Sequence, residues 1–170
     1  MKITLFMATS INGYVTGQND DTDWVKDTEI LYQTIRDYDA CIMGSRTYVE
    51  AKKYNAFPYK GAVNIVLTHD QELIKQSTDE TVFTDATLGQ IITQLENRGF
   101  SKLIVIGGGK TNSQFLSSGL IDQIVIDVHP IIIDQGIKLF EDIFPLVNLE
   151  LVDSQKLGDG LVQNRYMVLK

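Results

Sequence analysis

The chain has 170 residues, 44% of them hydrophobic, and carries a formal net charge of -7 at pH 7. This length supports one well-buried core and is too short for two ordinary domains, so we expect a single domain over residues 1–170. The acidic balance argues against a nucleic-acid partner or an anionic membrane surface, because either would repel the average field of the protein. Cys41 is the only cysteine, which excludes an internal disulfide, predicts a buried thiol and suits a reducing cytoplasm.

The first predicted element is a strand at residues 3–8, an apolar run without the length to span a bilayer and without a small-residue cleavage site. Similar β-rich runs follow at residues 40–43, 63–67, 103–106, 124–128, 149–152 and 161–168. Most of these runs are unbroken rather than alternating, which indicates strands that are covered on both faces.

Helices are predicted between these strands at residues 28–36, at residues 47–53 and between Thr87 and Gly99. The third is the clearest, because Thr87 forms a capping box with Gln90, the apolar side chains share one face, and Gly99 is placed to end the helix. Strands that alternate with helices predict an α/β fold with a mostly parallel sheet. The last two runs, joined through residues 158–160, are typical of an antiparallel hairpin.

Residues 105–110 form the most informative stretch, in which an apolar strand runs into Gly107, Gly108 and Gly109 before a helix expected from about Thr111. Glycine lacks a Cβ, so its backbone N–H groups can press against a ligand. A helix N-terminus aimed at the same point would make the turn a seat for a pyrophosphate. The third glycine comes too early for the G-x-G-x-x-G fingerprint, and a plain structural turn is the alternative.

Two further predicted strands end in a similar way. Residues 41–48 run through Gly44 into polar residues that open a helix, where Ser45 and Arg46 offer a hydroxyl and a guanidinium for a second phosphate. The alternative is an ordinary turn with Ser45 as N-cap. Thr68 and His69 end a third strand, where a surface histidine is the alternative. We expect all three turns to lie at one edge of the sheet, because ligands of open α/β sheets bind outside the carboxyl ends of strands.

These three segments resemble the dihydrofolate reductase superfamily, which includes the reductase domain of the bifunctional riboflavin biosynthesis protein. Residues 43–48 are similar to the family's M-G-R-K-T-W segment, residues 65–69 to its I-I-L-S-S strand, and residues 106–109 to its I-G-G-G turn. Residues 8–17, 115–123 and 136–140 resemble the riboflavin-type branch. The resemblance runs almost the full length and implies a three-layer α/β fold, with a mostly parallel sheet between helices and a C-terminal antiparallel hairpin.

The resemblance implies NADPH as the cofactor. In the family, the first two segments lie near the adenosine 2′-phosphate and the third lies at the pyrophosphate. We expect NADPH to bind more tightly than NADH, with Arg46, Thr68, His69 and Lys110 around the 2′-phosphate. The implied cofactor-binding residues are Ala8, Thr9, Gly17, Gly44, Ser45, Arg46, Thr47, Leu67, Thr68, His69, Gly107, Gly108, Gly109, Lys110 and Thr111.

The resemblance also implies catalytic and substrate-binding residues. Counting onward from Trp24, which matches the family's loop tryptophan, places Glu29 where folate-reducing members keep the acid that orients the pterin and helps supply its proton. Asp27 is the nearby alternative. Asn12 stands where riboflavin-type members usually carry an aspartate, and Trp24 and Asp127 are the expected substrate contacts.

Two departures from the family pattern bear on specificity. Folate reducers carry an arginine before the third strand that clamps the glutamate tail of the substrate, and Ala62 at this position argues against a folate with an intact tail. Ser45 replaces the arginine expected after Gly44, which removes one support for NADPH over NADH. The acidic loop at residues 19–23 lacks the glycine and the closing glutamate of a calcium site. The sequence has no Cys/His cluster for zinc, so we expect no metal and no deaminase half.

The leading hypothesis is an NAD(P)H-dependent reductase that transfers a hydride to a C=N bond of a pterin-like or pyrimidine-derived heterocycle. This chemistry needs a nicotinamide held near the electrophilic carbon, exclusion of water and a proton source. A carboxylate in a partly apolar pocket can supply the proton, because burial raises its pKa. The alternatives are a non-catalytic nucleotide-binding module, favoured by Asn12, and a reductase with loose specificity. The resemblance also implies a homodimer.

Overall fold

The apolar runs of the sequence form the sheet around which the protein is built. The computed structural model describes residues 1–26, 28–53, 55–142 and 145–170. Within these residues the strands are β1 Lys2–Ser10, β2 Ala40–Gly44, β3 Val63–Leu67, β4 Thr81–Thr84, β5 Lys102–Val105, β6 Gln123–His129, β7 Asn148–Gly158 and β8 Leu161–Leu169. The α-helices are α1 Thr28–Ile35, α2 Ser45–Lys53, α3 Gln71–Ile74, α4 Leu88–Asn97 and α5 Gly109–Ser117.

The strands that the structure describes lie in one sheet in the order β4-β3-β2-β5-β1-β6-β8-β7. Every pairing from β4 to β6 is parallel, whereas β8 pairs antiparallel with both β6 and β7. The predicted α/β class, with a mostly parallel sheet and a C-terminal antiparallel hairpin, is confirmed. Because parallel strands end at the same edge, the turns after β2, β3 and β5 are neighbours there, as expected.

Helices cover both faces of the sheet, which explains why the strand sequences are unbroken apolar runs. One face packs Leu5, Ile42 and Val105 against α4 and α5 through Ile91, Leu95, Phe115 and Leu116. The other face packs Phe6, Met43 and Ile104 against α1 and α2 through Ile35, Tyr48 and Ala51. Neighbouring residues of one strand therefore enter different cores, and a polar residue is costly on either side.

Several element boundaries differ from those expected. The chain also forms β4 and α3, which the apolar pattern does not predict because both are four residues long and of mixed composition. Helices α2 and α5 each begin two residues early, so Ser45 is the first residue of α2 rather than its cap, and α5 begins at Gly109. The capping box of Thr87 and Gln90 is confirmed, and Gly99 follows α4 with a φ of 81°.

Strand β7 is much longer than the predicted run and is exposed along nearly its whole length. Its apolar side chains face solvent, with exposed fractions of 42% for Leu149, 55% for Leu151 and 54% for Val152. As the last strand in the sheet order, it leaves one side of its backbone without a neighbouring strand. No helix among the described residues is long and apolar enough to cross a membrane.

A buried asparagine in β3 fixes the loop that precedes this strand. Tyr59 N donates to Asn64 Oδ1 at 2.9 Å, and Asn64 Nδ2 donates to the carbonyls of Tyr59 and Ala62 at 2.9 and 3.0 Å. The Cys41 thiol lies 3.4 Å from the same Oδ1. Cys41 is fully buried, as predicted, and burial raises the pKa of its thiol to about 12, which keeps it protonated and unreactive.

We predict that Asn64→Ala lowers the free energy of unfolding by about 3 kcal/mol, because a buried N–H and two carbonyls lose their partners. Urea denaturation measures this change. Asn97→Ala, an exposed substitution at the end of α4, is the control and should change stability by less than about 0.5 kcal/mol. Equal effects of the two substitutions would contradict this role for Asn64.

Candidate nucleotide-binding cavity

A cavity of about 1040 Å³ opens at the carboxyl edge of the parallel strands. Its walls include the end of β2 with the start of α2, the ends of β3 and β4, and the turn between β5 and α5. The strand order brings these segments together although up to 70 residues of sequence separate them, roughly from Gly44 to Thr111. The cavity therefore lies at the edge of the sheet where the sequence predicts the three turns to meet.

The turns after β2 and β5 touch each other through glycines. Gly44 N donates to Gly107 O at 2.9 Å, and a Cβ added at Gly44 would lie 2.8 Å from Thr111 Oγ1. Gly107 has a φ of 104°, a conformation that residues with a side chain rarely adopt, and a Cβ there would lie 2.9 Å from Met7 Sδ. Glycine is therefore required at both positions for the two turns to approach this closely.

The first turn of α5 is held by residues 137–142, a segment that we call the strap. Asn112 Nδ2 donates to Leu139 O at 2.9 Å, and Asp142 N donates to Ser113 Oγ at 3.1 Å. On its other side the strap is tied to residues 13–15, where Leu139 N donates to Gly13 O at 2.8 Å. A Cβ at Gly109 would collide with the Lys138 carbonyl oxygen and would lie 2.8 Å from Glu141 Cγ. Gly109 thus allows the strap to lie directly on the start of the helix.

The cavity carries both signs of charge. Among its described lining residues, the cations are Arg46 and Lys110, and the carboxylates are Asp20, Glu50, Asp85, Glu141 and Asp142. Arg46 Nη2 lies 3.6 Å from Glu141 Oε2, so the guanidinium from α2 points toward the start of α5. Glu50 pairs with Lys53, and Asp85 accepts a hydrogen bond of 3.2 Å from Gln71 Nε2.

The structure brings most of the residues implied as cofactor contacts to this cavity. Those that line it are Gly44, Ser45, Arg46, Thr47, Leu67, Thr68, His69, Gly108, Gly109, Lys110 and Thr111. Ala8, Thr9, Gly17 and Gly107 do not contribute to the lining. Gly107 supports the turn from behind, and Gly17 N donates to Asp21 O at 2.7 Å in the neighbouring loop.

Trp24 and Asp127, the two expected substrate contacts, both lie close to His129 at the end of β6. His129 was not predicted from the sequence as a residue of the site. The ring of Trp24 lies edge-on to His129, with centroids 5.2 Å apart. His129 is buried, its Nδ1 lies 3.2 Å from Asp127 O, and its Nε2 lies 3.2 Å from Lys26 N. Asp127 is 4% exposed, lies opposite Ala8 in the β1–β6 register and accepts a hydrogen bond from Gln163. The polar end of an otherwise apolar strand was the only sequence signal for His129.

Glu29 and Asn12, two of the residues expected to be catalytic, do not line the cavity. Glu29 is exposed on α1 and accepts a hydrogen bond of 3.3 Å from Gln33 Nε2, so the partly apolar surroundings expected for a buried acid are missing. Asp27 lies outside the described residues. Asn12 exchanges hydrogen bonds with the backbone of Ile133, at 2.7 Å from its Nδ2 and 3.1 Å to its Oδ1, which joins two loops.

Glu141 and the rest of the strap were also missed as parts of the site. The only available signal was the similarity of residues 136–140 to the riboflavin-type branch, which says nothing about where the segment packs. No group of three or more His, Cys, Asp or Glu side chains within the described ranges is arranged to hold a metal ion.

The sheet order and the glycine turns define a dihydrofolate reductase-like fold with a cavity at the carboxyl edge of its strands. Residues 1–163 match the RibD C-terminal domain, and the chain belongs to this family.

Relatives and solved structures agree with this assignment. The chain is 26% identical to the "Putative riboflavin biosynthesis protein" of Shewanella sp. PV-4, with a TM-score of 0.85 over the whole of both chains. It is 25% identical to the uncharacterized protein YwjB of Bacillus subtilis over 98% of this chain and 97% of that protein. It also has the fold of part of a Thermotoga maritima diaminohydroxyphosphoribosylaminopyrimidine deaminase/5-amino-6-(5-phosphoribosylamino)uracil reductase. That match has a TM-score of 0.77 at 18% identity and covers 99% of this chain and 56% of the other.

We predict that Gly109→Ala destabilises the protein by about 2 kcal/mol, because the new methyl group forces the strap away from α5. Thermal and urea unfolding measure the loss. The matched control is Gly89→Ala, since a Cβ at Gly89 meets nothing within 4 Å and the residue lies in helix α4. Alanine there should be neutral or stabilise by up to about 1 kcal/mol. A Gly109→Ala protein as stable as the parent would refute the proposed packing.

Proposed function

We propose that this protein is an NADPH-dependent reductase that transfers a hydride to a C=N bond of a pterin-like or pyrimidine-derived heterocycle. The observation that carries the proposal is the convergence of three strand ends and the N-termini of α2 and α5 on one cavity. Two findings support the reductive chemistry. The chain belongs to the RibD C-terminal domain family, and the Thermotoga maritima protein that shares its fold is named in part a 5-amino-6-(5-phosphoribosylamino)uracil reductase.

The proposed pyrophosphate position is the start of α5. No side chain caps this helix, since its N-cap is Gly108, so its first backbone N–H groups are available to phosphate oxygens. The part of the cavity at the end of β3, with Thr68 and His69, would hold the adenosine 2′-phosphate. Lys110 and Thr111, in the first turn of α5, would contact phosphate oxygens of the nucleotide. Once bound there, the nicotinamide would supply the hydride.

Arg46 is proposed to serve the pyrophosphate rather than the 2′-phosphate expected from the sequence. Its guanidinium points toward Glu141, whose side chain lies against Gly109 at the start of α5. A guanidinium in this position can hydrogen-bond two phosphate oxygens, which a lysine cannot do with the same geometry.

We predict that the parent protein binds NADPH more tightly than NADH and that Arg46→Ala weakens both by about tenfold, as loss of a charge-assisted hydrogen bond does. Isothermal titration calorimetry measures both affinities. Lys52→Ala removes a cation from the same helix outside the cavity and serves as the control. A loss confined to NADPH would place Arg46 at the 2′-phosphate, and equal parent affinities would refute the NADPH preference.

The proton that completes the reduction must come from a group near the substrate nitrogen. Glu29 is the proposed acid, on the strength of the family resemblance alone. Because Glu29 is exposed, it can act only if bound substrate excludes water from the start of α1. Trp24 and the buried Asp127 are the proposed substrate contacts, and Ala62 offers no partner for the tail carboxylate of a folate.

We predict that NADPH oxidation will be fastest with a phosphoribosylamino-pyrimidinone or a simple cyclic imine and slow with dihydrofolate. Glu29→Gln should lower turnover by about 10²- to 10⁴-fold and leave NADPH binding intact. Absorbance of NADPH follows the reaction, and Glu72→Gln on α3, which does not line the cavity, is the control. Full activity of Glu29→Gln would remove Glu29 from the mechanism, and efficient reduction of dihydrofolate would contradict the inference from Ala62.

The second candidate is a nucleotide-binding module without turnover. It is favoured by the position of Glu29 outside the cavity lining and by the structural hydrogen bonds of Asn12. The same substrate panel separates the two, because this module would bind NADPH and oxidise it with none of the compounds. The homodimer stays a prediction, and β7 is an exposed edge strand of the sheet that could take part in it.

A further inference from the structure

Glu141 stands at a position in the cavity where a bound nucleotide would place negative charge. Its Oε2 would lie 3.1 Å from a Cβ at Gly109, the first residue of α5, and lies 3.6 Å from Arg46 Nη2. The start of a helix attracts anions because its backbone N–H groups carry partial positive charge. A carboxylate here therefore meets the same two attractions, from the helix and from the guanidinium, that a phosphate would meet.

The backbone of the strap is held by hydrogen bonds, whereas the Glu141 carboxylate is held by a partly exposed ion pair. Glu141 N lies 3.5 Å from Gly109 O, and Asp142 N donates to Ser113 Oγ at 3.1 Å, so the residue is held next to α5. Among the residues that the structure describes, the Glu141 carboxylate forms an ion pair with Arg46, whose side chain is 53% exposed. A rotation of the Glu141 side chain that separates its carboxylate from Arg46 breaks none of these backbone hydrogen bonds.

We propose that Glu141 is an internal competitor of the nucleotide and sets the affinity of the site for its pyrophosphate. In the empty protein its carboxylate neutralises Arg46 beside α5, and an entering pyrophosphate displaces it. This inference rests on the proposed function, since it takes the start of α5 as the pyrophosphate position. It assigns a role to a residue outside the three turns that resemble the family.

Glu141→Gln should tighten the binding of NADPH and of NADH equally, by about two- to fivefold. This gain corresponds to the free energy of a partly exposed ion pair. The equal gain follows because both nucleotides carry the pyrophosphate. The gain should be largest at about 0.01 M salt and vanish at about 1 M, where the Debye length falls to about 3 Å. The same substitution should lower the melting temperature of the nucleotide-free protein, because the start of α5 loses its anion.

Calorimetric titration of the full chain with NADPH and with NADH, together with thermal unfolding without nucleotide, tests the proposal. Glu50→Gln is the matched control, because it removes the same charge from the same cavity and the ion pair of Glu50 is with Lys53, so it should give a smaller gain. If Glu141→Gln raises the nucleotide affinity and lowers the melting temperature of the nucleotide-free protein, Glu141 competes with the nucleotide. If Glu141 had only a structural role, its substitution would lower both quantities.

If neither the parent nor Glu141→Gln binds a pyridine nucleotide, the proposed function fails and this inference fails with it. If both bind with equal affinity, or if Glu50→Gln gives the same gain, only the inference is wrong. A gain confined to NADPH would also overturn it, because the competition would then be with the 2′-phosphate.

Discussion

The parallel pairing of the six strands from β4 to β6 is the constraint on which the rest of the structure depends. It forces the turns after β2, β3 and β5 to one edge, and the bond from Gly44 N to Gly107 O joins two of them. Neither turn could form the cavity alone, because each contributes only one wall. A register shift of one residue in β2 or β5 would reverse which face its apolar side chains cover and would separate these two glycines.

The strap adds a second constraint that acts on the same helix. It forms one wall of the cavity by packing on Gly109 and by hydrogen-bonding to Asn112 and Ser113. The first turn of α5 is therefore positioned both by the strap and by the contact between the turns after β2 and β5. The strap also introduces Glu141 and Asp142 and raises the share of carboxylates in the lining. The described lining of the cavity therefore holds two cationic and five acidic side chains, so we expect its affinity for a nucleotide to depend on salt concentration.

The fold was largely predictable from the sequence, because burial on both faces leaves unbroken apolar runs such as residues 103–106 and 124–128. Short elements with mixed composition, β4 and α3, left no such pattern. The helix starts were placed two residues late since Ser45 and Gly109 resemble turn residues, and only tertiary contact decides that they begin helices. Strand β7 was underestimated because its length comes from pairing with β8 rather than from its own apolar residues.

The cavity walls were predictable where a turn carries its own glycine signature, as at Gly44 and Gly107–Gly109. Residues that enter through long-range packing were not, and Glu141 and His129 are examples. Glu29 was predicted as a site residue, but it is exposed and does not line the cavity. Counting along the family pattern gave its position in the sequence and says nothing about the exposure of its side chain.

A crystal structure of the protein with bound NADPH would show directly whether the start of α5 holds the pyrophosphate. We expect pyrophosphate oxygens within about 3 Å of the backbone N–H groups at the start of α5, with the Arg46 guanidinium turned from Glu141 toward them. We also expect the nicotinamide near Met7 and Ile106, on the side of the cavity away from His69. NADPH bound elsewhere, or bound in this cavity with its pyrophosphate away from α5, would contradict the proposed binding mode.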